Sequence, residues 1–316
     1  MADPRAPIFE KVALIGLGLI GSSIARGARA YGAATRIAAS DVSEQVRARV
    51  RELGIADETT ADLAEAVTGA DLVILCVPVG ACGEVARVIA PHLAPGAVLS
   101  DVGSVKGAIV AQVAPHVPAS AHFIPAHPIA GTEYSGPDAG FATLFQNRWC
   151  ILTPQDGFDG EAVKKLSAFW TRLGANVETM SATHHDLVLA VTSHLPHLIA
   201  YNIVGTAADL EEVTQSEVIK FSASGFRDFT RIAASDPTMW RDIFLNNKDA
   251  VLEMLGRFDE DLTALRRMIR TGDGDGLFAL FTRTRAIRRS IIEQGQDTAA
   301  PDFGRSAPRE EEAVPP

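Results

Sequence analysis

Short apolar runs alternate with stretches of helical spacing over the first half of the chain. Continuous apolar runs are typical of strands buried on both faces, and strands separated by helices imply a parallel, doubly wound sheet. We therefore predict an α/β fold for this half. The predicted strands are residues 12–16, 36–40, 70–77, 98–102, 121–125 and 149–153, and the predicted helical stretches are 20–31, 44–53, 63–67, 82–93 and 160–173.

From about residue 181 the pattern changes to helix alone. The helical stretches are residues 185–208, 238–270 and 277–292. Their apolar faces are wide, and a dimer interface is the simplest way to cover such faces. We therefore predict a doubly wound domain at 1–180, an all-α dimerisation domain at 181–295, and a disordered tail at 296–316, where Pro, Ala and Glu are frequent.

Composition and charge narrow the class of protein. The chain has 316 residues, enough for two cores, of which 47% are hydrophobic and 22% charged. The net charge of -10 argues against a nucleic-acid partner, because phosphate binding needs clustered Lys and Arg. Neither a run of roughly 20 apolar residues nor the apolar core of a signal peptide is evident, so we expect no membrane partner. Three cysteines without a CxxC pair predict no disulfide framework and no metal site, and they favour a cytoplasmic protein.

A glycine-rich turn, GLGLIG at residues 16–21, follows the first predicted strand and opens a helix. Gly16 permits the tight turn, Gly18 lets the backbone approach a pyrophosphate, and Gly21 allows close packing of helix and strand. The helix N-terminus offers unpaired N–H groups to the anion. Asp41 follows about 20 residues later, at the end of the second strand, where its carboxylate can accept both ribose hydroxyls. These features predict a Rossmann domain that binds NAD rather than NADP, because the carboxylate repels a 2′-phosphate.

Two further segments follow predicted strands: DVGSVK at 101–106 and HPIAGTE at 127–133. Ligands gather beyond the carboxyl ends of the strands in an open parallel sheet, so both segments are expected near the dinucleotide. A histidine beside a nicotinamide is suited to accept a proton from an alcohol as the hydride leaves. Taken alone, a loop histidine at 127 can equally be structural.

The chain resembles one enzyme family in several segments that occur in order. They read GLGLIGSS, DVGSVK, HPIAGTE, SHLPH and GFRDFTRIAASDPTMW. Over about residues 11–292 they resemble the prephenate, arogenate and cyclohexadienyl dehydrogenases of tyrosine biosynthesis. The resemblance implies NAD-dependent oxidative decarboxylation of prephenate or arogenate to 4-hydroxyphenylpyruvate or tyrosine. It also implies a homodimer through the helical half, with the active site in the cleft between domains.

The resemblance assigns roles by position. His127 resembles the family's catalytic base, which takes the proton of the ring hydroxyl, and Ser104 resembles the residue that hydrogen-bonds both groups. His197 resembles a second histidine of the substrate site. Arg231 resembles the arginine that clamps a substrate carboxylate, a task that its planar guanidinium suits.

Weaker roles follow for residues around this centre. The substrate pocket is expected to include Thr132, Glu133, Asp228 and Trp240, and the cofactor site to include Leu19, Ile20, Val77 and Pro78. Glu133 can equally cap the helix that follows, and for Trp240 a place in the core is favoured over contact with the ligand. Some relatives have a glycine-rich run before Phe226, whereas here Gly225 alone remains, and the choice between prephenate and arogenate stays open.

Two other classes remain as alternatives. A β-hydroxyacid dehydrogenase also joins a Rossmann domain to a helical domain, and it uses a lysine as acid and base; Lys220 and Lys248 are the lysines of the helical half. A non-catalytic NAD-binding regulator of aromatic metabolism is the second. The HPIAGTE segment argues against the first alternative, and the presence of Ser104, His127 and Arg231 argues against the second.

Overall fold

The computed structural model describes residues 6–132, 134–209 and 223–291. By internal contacts the chain divides into two compact units, Met1–Met254 and Leu255–Pro316. This division lies within the helical half, and the boundary at residue 180 stays a prediction. Glu133, Lys220 and the tail at 296–316 lie outside the described residues.

A six-stranded parallel sheet forms the centre of the first unit. Its strands are β1 (Phe9–Ile15), β2 (Ala34–Ser40), β3 (Glu58–Thr60), β4 (Leu72–Leu75), β5 (Val98–Asp101) and β6 (His122–Phe123). The strand order is β3-β2-β1-β4-β5-β6, and every neighbouring pair is parallel. The order reverses between β1 and β4, and ligand sites of doubly wound sheets lie at this switch point.

Six helices accompany the strands in the first half of the chain. They are α1 (Leu19–Ala30), α2 (Glu44–Glu52), α3 (Leu63–Val67), α4 (Cys82–Ile89), α5 (Lys106–Val113) and α6 (Gly160–Arg172). Leu72 and Ile74 belong to the apolar cluster on one sheet face, whereas Val73 and Leu75 belong to the cluster on the other. Successive side chains of a strand point to opposite faces, so both faces of β4 are buried. The predicted doubly wound sheet is confirmed.

A second, three-stranded sheet changes the predicted position of the histidine segment. It contains β7 (Ala126–Pro128), β8 (Trp149–Leu152) and β9 (Asn176–Thr179) in that order, with β7 antiparallel and β9 parallel to β8. His127 therefore lies on a strand, and the prediction of a loop was wrong. The sequence analysis also missed β3, β9 and α5, because elements this short show too little hydrophobic periodicity.

The second half of the chain is helical over the described residues. Its helices are α7 (Ala182–Leu189), α8 (Leu195–Asp209), α9 (Ser224–Thr230), α10 (Pro237–Asn246), α11 (Lys248–Thr271) and α12 (Gly274–Ile291). The predicted helix at 185–208 contains a π-helical turn, Ala190–His194. Pro196 follows this turn and has no N–H for a regular helical hydrogen bond. Its position explains why the hydrogen-bond pattern changes locally from α-helical to π-helical. The predicted helix at 238–270 is interrupted at Asn247, whose side chain is buried.

One stretch of the described chain, Ala182–Asp209, is long and apolar enough to cross a membrane by length and composition alone, with a hydropathy of 1.4. The sequence predicted a helix over most of this stretch, at residues 185–208, but not one that passes this test. It carries His185, Asp186 and His194, which are all buried within the protein. Core helices of soluble proteins meet the same two criteria, so the stretch is weak evidence for a membrane span.

Candidate active site

The glycine turn is built by two close approaches of the backbone. Gly16 has a φ of +98°, and a Cβ there would lie 2.6 Å from the carbonyl oxygen of Cys76. A Cβ on Gly21 would lie 2.1 Å from the carbonyl oxygen of Gly16. By contrast, a Cβ on Gly18 would have no described atom within 4 Å. Helix α1 begins here without a side-chain cap, so the turn fits a pyrophosphate bound to free N–H groups.

The Asp41 carboxylate is held against the glycine turn. One oxygen accepts the N–H of Leu17 at 2.9 Å, and the other accepts the N–H of Ser43 at 2.9 Å. Each carboxylate oxygen has a second lone pair that a ribose hydroxyl can use. Arg47 donates to the carbonyl oxygens of Asp41 and Val42 at 2.5 and 3.0 Å. The sequence analysis missed this cation because Arg47 lies one helical turn beyond the strand.

The sheet order brings the predicted cofactor residues to one edge. Strands β2, β1, β4 and β5 are neighbours, and their carboxyl ends lead to Asp41, the glycine turn, Val77 and Ser104 respectively. Leu19 and Ile20 form the first turn of α1, and Pro78 follows Val77 as an exposed residue. The geometry therefore supports one dinucleotide site, and the individual roles stay predictions.

His127 is the first member of a buried chain of hydrogen-bonding groups. Its Nδ1 lies 2.9 Å from Nε2 of His185, and Nδ1 of His185 lies 2.8 Å from Oδ1 of Asp186. Asp186 also accepts the N–H groups of Lys106 and Gly107 at 2.7 and 2.8 Å. Those two N–H groups belong to the first residues of helix α5. Asp186, which lies on α7, therefore supplies hydrogen-bond acceptors to the N-terminus of another helix.

Burial keeps the histidines of this region neutral. It lowers the pKa of His127 well below the usual value, and the electrostatic influence of nearby His185 and Lys106 lowers this pKa further. Burial also lowers the pKa of His185, which its bond to Asp186 opposes, and lowers that of His194 to about 4. A neutral imidazole has one nitrogen free to accept a proton at pH 7.

A fully buried ion pair supports the strand that carries His127. The Lys106 ammonium bonds the Asp101 carboxylate and donates to the carbonyl oxygen of Ala126 at 2.7 Å. Asp101 in turn accepts the N–H groups of Gly103 at 2.7 Å and of Ala126 at 3.2 Å. The pair therefore joins the end of β5 to the start of β7 and fixes the position of His127.

A second set of contacts leads from Asp186 to the predicted substrate residues. Asn247 donates to the Asp186 carbonyl oxygen at 2.9 Å and lies 3.0 Å from Nδ1 of His194. His194 meets the Trp240 ring edge to face, with centroids 6.1 Å apart. The imidazole ring of His197 stacks on the Trp240 ring, with centroids 3.7 Å apart. Trp240 is buried, as expected of a core residue, and it stacks on a candidate substrate histidine; its role in the substrate pocket stays a prediction.

Arg231 lies near His197, at the start of a short 3-10 helix, Arg231–Ala234. Burial lowers the pKa of His197, and the Arg231 guanidinium lowers it further. Nδ1 of His197 lies 2.8 Å from the Ser193 carbonyl oxygen, to which it donates, so Nε2 is left for another partner. Arg231 is exposed and makes no ion pair with a described residue. The Arg231 guanidinium can receive a carboxylate, whereas Nε2 of His197 can accept a hydrogen bond.

Other predicted residues are not joined to His127 in the described part of the chain. Ser104 lies in the β5–α5 loop and makes no hydrogen bond to His127. Thr132 is exposed and accepts the N–H of Tyr134 at 3.3 Å. Gly225 and Asp228 are exposed on α9. The roles of these residues stay predictions.

The sequence analysis missed four residues of the buried network: Lys106, His185, Asp186 and Asn247. Lys106 was present in the DVGSVK segment, but its spacing gave no sign of burial. The one local signal was the pair His185-Asp186 in the first turns of an otherwise apolar helix. Buried polar groups of this kind are hydrogen-bonded, so such a pair indicates partners elsewhere in the fold.

The glycine turn, the acidic residue after β2 and the sheet order define a dinucleotide-binding domain followed by a helical region. Two family profiles match the chain: the prephenate dehydrogenase nucleotide-binding domain at residues 24–179 and the prephenate dehydrogenase dimerization domain at residues 181–283. The chain belongs to the prephenate dehydrogenase family.

Individual relatives agree with this assignment. The chain is 44% identical over 284 residues to the cyclohexadienyl dehydrogenase of Zymomonas mobilis, which covers 90% of this chain and 97% of that protein. It is 34% identical to the prephenate dehydrogenase of Bacillus subtilis over 93% of this chain and 79% of that protein.

Solved structures have the same fold over most of the chain. The prephenate dehydrogenase of A. aeolicus, in complex with hydroxyphenyl propionate and NAD+, superposes with a TM-score of 0.84 at 34% identity, covering 89% of this chain and 98% of that chain. The arogenate dehydrogenase of Synechocystis superposes with a TM-score of 0.77 at 28% identity, covering 89% and 99%.

Two glycine substitutions separate folding from cofactor binding at the turn. We expect Gly21→Ala to lower the free energy of unfolding by roughly 1–3 kcal/mol, because its Cβ meets backbone, and to weaken NAD binding. Gly18→Ala should leave the free energy of unfolding within about 0.5 kcal/mol of wild type but still weaken NAD binding, because the side chain takes the space of the pyrophosphate. Denaturant unfolding and NAD titration measure both quantities. A Gly18→Ala chain with wild-type NAD affinity would contradict this use of the turn.

Proposed function

We propose that this chain is an NAD-dependent dehydrogenase that oxidises and decarboxylates prephenate, arogenate or both, giving 4-hydroxyphenylpyruvate or tyrosine. The observation that carries the proposal is the buried, neutral imidazole of His127. Its strand is joined through Lys106 to Asp101 at the carboxyl end of β5, the edge of the sheet where the dinucleotide is expected. The names of the relatives and the ligands of the A. aeolicus enzyme support the same reaction.

The chemistry divides between the substrate and the residues around it. The ring carbon that bears the hydroxyl loses a hydride, and the ring carboxylate leaves as carbon dioxide, so that the ring becomes aromatic. NAD, held by the glycine turn, Asp41, Val77 and Pro78, would supply the hydride acceptor. His127 accepts the hydroxyl proton, and general-base catalysis of this kind contributes about 10²–10⁴-fold in rate.

The remaining predicted residues bind and orient the substrate. Arg231 is proposed to receive the side-chain carboxylate, since a guanidinium binds a carboxylate through two parallel hydrogen bonds. His197 is proposed as a second histidine of the substrate site, with Nε2 as a hydrogen-bond acceptor. Ser104 is proposed to bond the ring hydroxyl together with His127 when the substrate is present. Thr132, Glu133 and Gly225 are proposed to line the pocket.

The lysine-dependent alternative finds no support from the described part of the chain. Lys248 is exposed and is the first residue of α11. It makes none of the hydrogen bonds described above for His127 and Asp186. Lys220 lies outside the described residues. The family relation favours the cyclohexadienol reaction over the β-hydroxyacid reaction.

A cytoplasmic homodimer formed through the helical half is part of the proposal. The matching family region is described as a dimerization domain. Large apolar side chains in the second unit are exposed on the isolated chain, among them Leu262, Ile269, Phe278, Phe281 and Ile287. An exposed apolar surface of this kind is typical of a subunit interface. Nucleic acid and membranes are not proposed as partners.

A steady-state comparison of prephenate and arogenate, each with NAD and with NADP, tests the proposed function. We expect reduction of NAD with at least one substrate, and a higher kcat/KM with NAD than with NADP because Asp41 repels the 2′-phosphate. A chain that turns over neither cyclohexadienol would refute the proposal. A preference for NADP would refute the assignment of Asp41 alone and would point to Arg47.

His127→Asn tests the catalytic base. The substitution keeps a hydrogen-bonding side chain but removes the nitrogen that accepts the proton, so we expect kcat to fall by at least ~10²-fold with little change in NAD affinity. His184→Gln is the control, because His184 is exposed on α7 and lies beside the network without joining it. Turnover of His127→Asn near the wild-type rate would exclude this role.

Arg231→Ala tests the carboxylate clamp. We expect a raised KM, corresponding to a loss of roughly 2–4 kcal/mol from a charge-assisted bidentate contact. Arg227→Ala is a matched control, since Arg227 is an exposed arginine on the preceding helix that pairs with Asp228 at 3.8 Å. An unchanged KM for Arg231→Ala would mean that another cation binds the carboxylate.

A further inference from the structure

We propose that Asp186 and His185 are positioning residues that fix the tautomer of His127, so that this imidazole presents an unprotonated Nε2 to the hydroxyl proton. The proposal deepens the proposed function and rests on it for the identity of the proton donor. The tautomers themselves are a property of the free protein, and they can be measured without substrate.

The tautomers follow from one carboxylate. Asp186 accepts hydrogen bonds from the backbone N–H groups of Lys106 and Gly107, so it acts as an ionised acceptor toward its third neighbour. Nδ1 of His185, at 2.8 Å, must therefore carry the hydrogen that points to Asp186. A neutral imidazole has a single N–H, which leaves Nε2 of His185 as an acceptor.

His185 in turn determines the tautomer of His127. Nε2 of His185 lies 2.9 Å from Nδ1 of His127, and an acceptor there requires that His127 donates. The single hydrogen of neutral His127 is then on Nδ1, and Nε2 holds a lone pair. The order is carboxylate, imidazole, imidazole, and each member determines where the next carries its proton.

Asp186, His185 and His127 together form a hydrogen-bonded relay. This relay also stabilises the positive charge that arises when His127 acts as a base. The O–H bond of the substrate breaks and an N–H bond forms at Nε2 of His127. The new positive charge then lies one hydrogen bond from His185 and two from the Asp186 carboxylate. The ionised Asp186 carboxylate stabilises that charge through His185 without taking up a proton itself.

The groups around the relay agree with this polarity. Lys106 faces His127 and His185 from α5, but its charge is paired with Asp101 at the end of β5. His194 faces the relay from the π-helical turn, and burial keeps it neutral. Among the described residues, Asp186 is therefore the acidic group that is hydrogen-bonded to His185, and His185 in turn is hydrogen-bonded to His127.

Asp186 also caps α5, so a substitution there can act through the stability of that helix as well as through the tautomer of His127. Asp159 offers the matched control. It caps α6 by accepting the N–H groups of Glu161 and Ala162 at 2.7 and 3.2 Å, and it touches no member of the relay. Asp159→Asn makes the same chemical change at a helix N-terminus, so it measures the effect of losing the negative charge there without touching the histidines.

The tautomers are tested by ¹⁵N NMR of histidine-labelled protein without ligands near neutral pH. Protonated and unprotonated ring nitrogens have different chemical shifts, and the signals of His127 are those that disappear in His127→Asn. We expect Nδ1 of His127 to be protonated and Nε2 unprotonated in the wild-type chain. In Asp186→Asn the amide can donate to Nδ1 of His185, which should reverse both imidazoles. A wild-type His127 with its proton on Nε2 would overturn the proposal, and this measurement needs no variant of Asp186 to fold.

Turnover of the variants tests the consequence. We expect Asp186→Asn to lower kcat by at least ~10²-fold with unchanged NAD affinity, because Nε2 of His127 then carries a hydrogen. Asp159→Asn should keep the wild-type kcat. Wild-type kcat in Asp186→Asn, beside a strongly slowed His127→Asn, would overturn the positioning role. If the wild-type chain turns over no cyclohexadienol, the proposed function fails, and the NMR result still decides whether Asp186 sets the tautomers.

Discussion

The carboxylate of Asp186 joins two parts of the chain that the sequence keeps far apart. It lies on α7, yet it receives two N–H groups of α5 and an N–H of its neighbour His185. A buried carboxylate is stable only where donors surround it, and a helix N-terminus supplies both donors and a favourable dipole. The same contact fixes α7 on the nucleotide-binding half of the protein and brings His185 to His127. The position of the candidate base therefore depends on this one group.

A second constraint acts from the sheet side. The buried pair of Lys106 and Asp101 ties the end of β5 to Ala126, the residue before His127. Removing one partner of such a pair leaves an unpaired buried charge, so both must be present for the local fold. His127 is thus held from two directions: by the backbone of β7 and by the ring of His185. A base held in this way needs little reorganisation when substrate arrives.

Burial and exposure are divided along the site in a way that suits its chemistry. The proposed base, His127, is enclosed and neutral, whereas Arg231, the proposed carboxylate ligand, is exposed and carries a charge. Trp240 is buried in contact with His194 and His197. An enclosed base avoids competition from water, while an exposed guanidinium can draw in an anionic substrate without the cost of desolvation before binding.

The sequence by itself determined the doubly wound sheet, the glycine turn with Asp41 and the family segments that include His127, His197 and Arg231, because these depend on local periodicity or on short motifs. It did not reveal β7, the interruption at Asn247, or the partnership of His127 with His185 and Asp186. Those features arise from contacts between residues distant in the chain, such as His127 with His185 across 58 residues and Lys106 with Asp186 across 80, which no local pattern records. Only the tertiary structure decided them, since a buried polar group shows its purpose only when its partner is beside it.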